Sequence, residues 1–257
     1  MVDTPKVIGI CRLCNAERLL LKSHIFSKGL IRHIRGEKNI FVGINGMGRY
    51  GRAILQDGQT EALFCQDCEQ FASINYEHPF FKLWNSPQAP IPNPWSPNSE
   101  ITIQVEYGPF KLFHLLNLYR ASVSSLLSFS QVSLGPHEEV IRKMLLQRDP
   151  GSDAKYAVTC FPVFNLPNGD LSKLITMPLR HRTDGQTMYS SVYGGAGWGI
   201  LISDGGFPSM RKYALKSDGT MRLFGYPWQM LTAMDEARAL LQGKETPFLA
   251  RERRSKR

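Results

Sequence analysis

Two Cys-x-x-Cys pairs, Cys11/Cys14 and Cys65/Cys68, are separated by fifty residues in this chain of 257. No other feature restricts its folding as much. Two residues between paired cysteines let one tight turn present both sulfurs, about 3.7 Å apart, to a single ion. Four such thiolates satisfy tetrahedral zinc and leave no open position for a substrate, so the expected role is structural. Iron is the chemical alternative at a four-thiolate site. A redox dithiol would need one pair at a strand-to-helix junction of a βαβ unit, and two distant pairs do not fit that pattern. Cys160, in the apolar run 156–164, reads as a buried core thiol.

The segments around the pairs predict how the ion is framed. A short extended stretch follows the first pair, and 27–35 reads as a helix with Leu30, Ile31 and Ile34 on one side. Strands are expected over 39–44 and 50–55, joined by a glycine-rich turn, and a helix over 66–84 opens on the second pair. Knuckle, hairpin, helix is the order of a treble-clef zinc finger. The helix N-terminus also suits anionic thiolates.

Residues 86–99 carry five prolines in fourteen positions, which denies both helix and central strand and marks a linker. The expected organisation is a zinc domain over 1–85, this linker, and a domain over 100–257 ending in a basic tail. In that second part we expect a strand over 101–106, helices over 110–130 and 138–147, and strands over 155–163, 172–179, 187–193, 198–203 and 211–215. A last helix is expected over 228–241. The fold class is α+β, and 42% apolar residues are enough for a real core.

A net charge of +9 and a pI near 9.4 favour polyanionic partners. The surplus is concentrated. Over 18–52 there are eight basic residues and one acid, and Arg18, Lys22, Lys28, Arg32 and Arg35 are the candidate phosphate contacts. No run approaches the roughly 18 to 20 apolar residues of a membrane span, and the start does not read as a secretory signal. A cytoplasmic setting is expected.

Ten residues beyond Cys14 stands His24, within Ser23-His24-Ile25, at the end of a strand and before a helix. Such a histidine can take a proton from water near neutral pH. The run C11RLC14, S23HI25, L63FC65QDC68 followed by Glu69 resembles the HNH (ββα-metal) endonucleases that carry an accessory four-cysteine zinc site. More narrowly it resembles a divergent bacterial subgroup with SHI and a second CxxC followed by Glu. The resemblance covers the first 85 residues, and LLNLYRASVSS and VSLGPHEEVIRKML extend it loosely. It implies phosphodiester hydrolysis with His24 as general base, Glu69 helping to hold a catalytic magnesium or manganese ion, and nucleic acid, DNA before RNA, as partner. In this family the place of Ser23 is an Asp that ligates metal. A neutral hydroxyl is a poorer ligand for a hard cation.

Other readings stand beside this one. His24 can be a core histidine, and the basic stretch can grip phosphates in a non-catalytic nucleic-acid-binding protein. Alternatively the zinc can stabilise a regulatory or protein-interaction fold. Glu77 reads as a solvated helix carboxylate about 12 Å along the axis from Glu69, too far to share an ion, and His78 as a helix-end residue. Tyr119, Arg120 and Trp95 are weighed as base-stacking groups and read as packing. The GxGxxG match over 46–51 lacks the following helix and acidic residue of a dinucleotide site and reads as a hairpin turn, as does the glycine run at 194–197.

Overall fold

The computed structural model describes residues 7–34, 41–44, 52–55, 58–85, 100–164, 175–183, 185–206 and 208–227. The linker 86–99, the helix expected over 228–241, the basic tail, Arg35 and the glycine-rich turn at 46–51 lie outside them. The architecture is mixed α+β.

Strands β1 (Val7–Ile10), β2 (Glu17–His24) and β5 (Thr60–Cys65) form an antiparallel sheet in the order β1-β2-β5. Helix α1 (Lys28–Ile34) leaves the end of β2, and β3 (Phe41–Ile44) pairs with β4 (Arg52–Leu55). From Cys65 the chain enters α2 (Gln66–Ala72), widens into a π turn (Ser73–Glu77) and continues as α3 (His78–Trp84). Pro79 has no N–H to return to the carbonyl four residues back, and a widened turn is one way a helix absorbs that loss.

Beyond the linker, β6 (Glu100–Gln104) leads into α4 (Tyr107–Val123), and α5 (His137–Gln147) packs beside it. Helix α4 is buried at every position from Phe110 to Ala121, polar residues included, because other elements enclose it. It stops seven residues before the expected end. The Glu61 carboxylate accepts hydrogen bonds from Ser124 Oγ and from Ser125 N and Oγ, and Ser124 is extended at φ −76, ψ 137.

A second sheet has the order β12-β7-β10-β9-β8, built from β7 (Val158–Phe164), β8 (Leu179–Thr183), β9 (Gln186–Tyr193), β10 (Ala196–Ile202) and β12 (Tyr226–Pro227). Gly194 and Gly195 join β9 to β10 at φ +59 and +82, the left-handed backbone that a two-residue hairpin turn demands. Three readings shift here: among the described residues, the strand expected over 172–179 begins only at Leu179, as β8. The segment 211–215 is mostly turn, with a single bridge between Thr159 and Ala214. Strand β11 (Thr220–Phe224), which pairs with β6, was not anticipated.

One hydrophobic cluster runs from Cys11, Leu13 and Phe64 through Tyr76 and Phe80 to Phe113, Trp198 and Leu223, so residues on both sides of the linker share a core. Phe80 stacks on Phe113 at 3.7 Å between ring centroids. Among the described residues no helix is long and apolar enough to cross a membrane.

Candidate metal centre and the adjoining cleft

Cys11 and Cys14 lie in the knuckle between β1 and β2. The Asn15 N–H donates to the Cys11 carbonyl, the Cys11 N–H to that of Ala16, and Asn15 takes the left-handed backbone at φ 60. Asparagine tolerates that conformation better than most residues. Cys65 ends β5 in the N-cap position of α2, and Cys68 lies in the first turn of the helix. The chain thus carries its second pair to a helix N-terminus, where free N–H groups favour negative charge.

The four sulfurs lie within 4.8 Å of one another, with Cys14 and Cys65 at 4.0 Å, and none of the cysteines is in a disulfide. Those separations far exceed a sulfur–sulfur bond and match ligands around one ion. Hydrogen bonding from Cys68 pulls the Cys11 thiol down to about 4, while burial pushes Cys65 up. A central cation would relieve that conflict by letting all four lose their protons. The cluster is suited to a metal such as zinc.

Beside this centre opens a cleft of about 910 Å³, whose lining includes His24, Lys28, Arg32, Glu69, Glu77 and Arg120. Strand β2 ends in alternation: Ser23 and Ile25 are buried, and His24 between them is half-buried toward the cleft. The Ile25 N–H bonds to the Gln59 carbonyl and fixes the strand end that presents the ring. Lys28 and Arg32 are exposed on α1 and line the same cleft. Arg18 and Lys22 are exposed on β2 and do not line it.

Ser23 departs from its expected place. It is 1% exposed, and its Oγ accepts the Phe64 N–H at 3.1 Å, across the register shift between Leu21 and Lys22. The hydroxyl stitches β2 to β5 and is turned away from the cleft. Ser23→Asp is therefore expected to destabilise the fold by about 1–3 kcal/mol, because it crowds and charges a buried hydrogen-bonding position. A urea melt reads that loss. A manganese titration showing tighter binding at unchanged stability would contradict it.

Glu77 is also reassigned. Arg120, 1% exposed on α4, reaches Glu77 Oε1 with Nη1 at 2.6 Å and Glu69 Oε2 with Nη2 at 3.1 Å. The π turn lies between the two carboxylates, and the two guanidinium nitrogens span what remains of their separation. The Arg120 guanidinium also lies over the Phe64 ring at 5.2 Å. Ser27 Oγ donates to the same Glu77 oxygen at 2.8 Å, and the Ser27 N–H to Asn117 Oδ1 at 2.9 Å. Glu77 is thus an ion-paired group, and Arg120 is withdrawn from any base. Tyr119 is 2% exposed and donates to the Arg12 carbonyl. Trp95 lies outside the described residues.

Comparison with protein-family models, curated proteins and solved structures finds no match for this chain.

Magnesium and manganese take oxygen ligands, preferentially carboxylates. The donors implied by the resemblance do not fit such an ion. The Ser23 hydroxyl is engaged with Phe64, and Glu69 shares a cation with Glu77. The ion pair escaped sequence reasoning because Arg120 lies 51 residues from one partner and 43 from the other.

Proposed function

We propose that the cysteine cluster binds structural zinc in a treble-clef, HNH-like frame, and that the adjoining cleft binds and hydrolyses phosphodiesters of nucleic acid. His24 acts as general base toward an attacking water. Lys28 and Arg32 hold the phosphate, supplying positive charge without an added metal. The observation that carries this reading is the position of His24: half-buried at a strand end, in a cleft that two exposed cations also line. A neutral imidazole there is suited to take a proton from water while cations offset charge developing on the phosphoryl oxygens.

The test is cleavage of labelled DNA and RNA by the full chain, with magnesium, with manganese and with a mild chelator that leaves the thiolate site loaded. His24→Ala is expected to lower the rate by about 10² to 10⁴ while zinc content and melting stay as in the wild type. An unchanged rate would remove His24 from the chemistry.

One observation favours a second reading. Ser23 and the two glutamates are engaged internally, as in a non-catalytic binder. Salt-dependent binding by the wild type, with no cleavage of either nucleic acid under any of the three conditions, would establish that reading over the first.

A further inference from the structure

We infer that Arg120 is the resident cation of the Glu69–Glu77 pair, occupying the electrostatic role that a divalent metal would fill and keeping such metals out of the cleft. Both carboxylates line the cleft, with side chains 24% and 17% exposed, while the guanidinium between them is 1% exposed. The cation is therefore held at the cleft wall with its charge already engaged by both partners.

The arrangement is built and held from several sides. Arg120 comes from α4 and the glutamates from the helix that begins at the metal centre. Phe64, at the end of β5, supplies the ring beneath the guanidinium. Asn117, one turn before Arg120 on α4, accepts from the Ser27 N–H and donates its own amide to the Phe113 carbonyl. Ser27 in turn donates to Glu77. Rotating Arg120 away would strip a bond from each carboxylate and leave a buried guanidinium without them.

Arginine does not surrender its proton in proteins, so this cation cannot be titrated out of the way. A divalent ion approaching Glu69 and Glu77 meets a tethered positive charge that already takes one oxygen from each. Yet the pair retains spare ligand capacity. Glu69 Oε1 is buried and, among the described residues, has no hydrogen-bond partner. Removing the guanidinium should therefore convert an ion pair into a carboxylate site open to a hard cation. Arg120 is thus a positioning residue whose charge excludes metal, independently of whether the cleft cuts a phosphodiester.

The experiment is manganese binding to the full chain, followed by electron paramagnetic resonance. The wild type is expected to bind no manganese that Glu77→Gln removes. Arg120→Met retains an unbranched stem over Phe64 and deletes the charge. It is expected to tighten manganese binding by about a hundredfold, the usual scale for a charge within a few ångströms. Adding Glu77→Gln to Arg120→Met should abolish the gain. A folded Arg120→Met protein that binds no more manganese than the wild type would overturn the inference. Should Arg120→Met fail to fold, the wild type decides. Manganese at a site lost in Glu77→Gln overturns the proposal, and its absence up to millimolar concentrations upholds it. Because the readout is bound metal, a cleft that proves unable to cleave nucleic acid leaves this result standing.

Discussion

Cys65→Ser is expected to release the bound metal and unfold the region around it, with an effect on stability of about 10 kcal/mol or more at neutral pH. The size follows from coupling. The ligands are brought together only in the folded chain, so the ion's binding energy is also folding energy. Cys65 is 4% exposed, ends β5, occupies the N-cap position of α2 and donates its N–H to Cys11 Sγ at 3.3 Å. Serine offers a poorer ligand at the point where the two knuckles meet. The damage should extend past the linker, because Arg142 Nη1 donates to the Leu13 carbonyl and Tyr119 to that of Arg12, both in the first knuckle. Elemental analysis should return one zinc per wild-type chain and a small fraction of that for the variant, alongside a large drop in melting temperature. A metal-free protein with an unchanged transition would contradict the coupling.

Phe80→Ala is expected to cost about 3–5 kcal/mol, the range for deleting a large aromatic side chain from a packed core. Phe80 is 1% exposed and belongs to α3. Besides the stacked Phe113, its ring meets Phe110 at 5.5 Å, Trp84 at 5.2 Å and Trp198 at 6.4 Å. Those neighbours belong to α4, α3 and β10, so one truncation opens a cavity bordered by both halves of the chain. Urea unfolding followed by tryptophan fluorescence and by far-ultraviolet circular dichroism should shift together, in one transition. If one signal keeps its wild-type midpoint while the other moves, the segments before and after the linker fold separately.

What could be read in advance follows from the range of the interactions concerned. The cysteine spacing announced its cluster because a metal knuckle is local, and four sulfur ligands leave few alternatives. Helix α1, the β3–β4 pair and the β9–β10 hairpin were likewise legible from periodicity and turn glycines. The failures involve partners distant in sequence. Nothing near Ser124 foretells that Glu61, more than sixty residues earlier, draws the chain out of its helix. Ser23 sits in the motif where a metal ligand is expected, but a register shift in β2 and the Phe64 N–H direct its hydroxyl inward. Strand β11 does carry a local signal, alternation after the Asp218-Gly219 turn. Gly219 adopts φ +85 there, and a Cβ on it would lie 2.1 Å from the Val105 carbonyl oxygen.

The helical run from the cysteine cluster through the widened turn at Ser73–Glu77 to Phe80 acts as a ruler, because both of its ends are held by packing. In a regular helix, inserting or deleting one residue swings everything beyond it by about 100°. Between Cys68 and Glu77 such a change would carry Glu77 away from Arg120 and swing the Phe80 ring out of its stack while leaving the sulfur ligands untouched. Substitutions along this stretch can be absorbed one side chain at a time. A change in its length is not absorbed that way, because the cysteine cluster fixes one end and the aromatic stack the other.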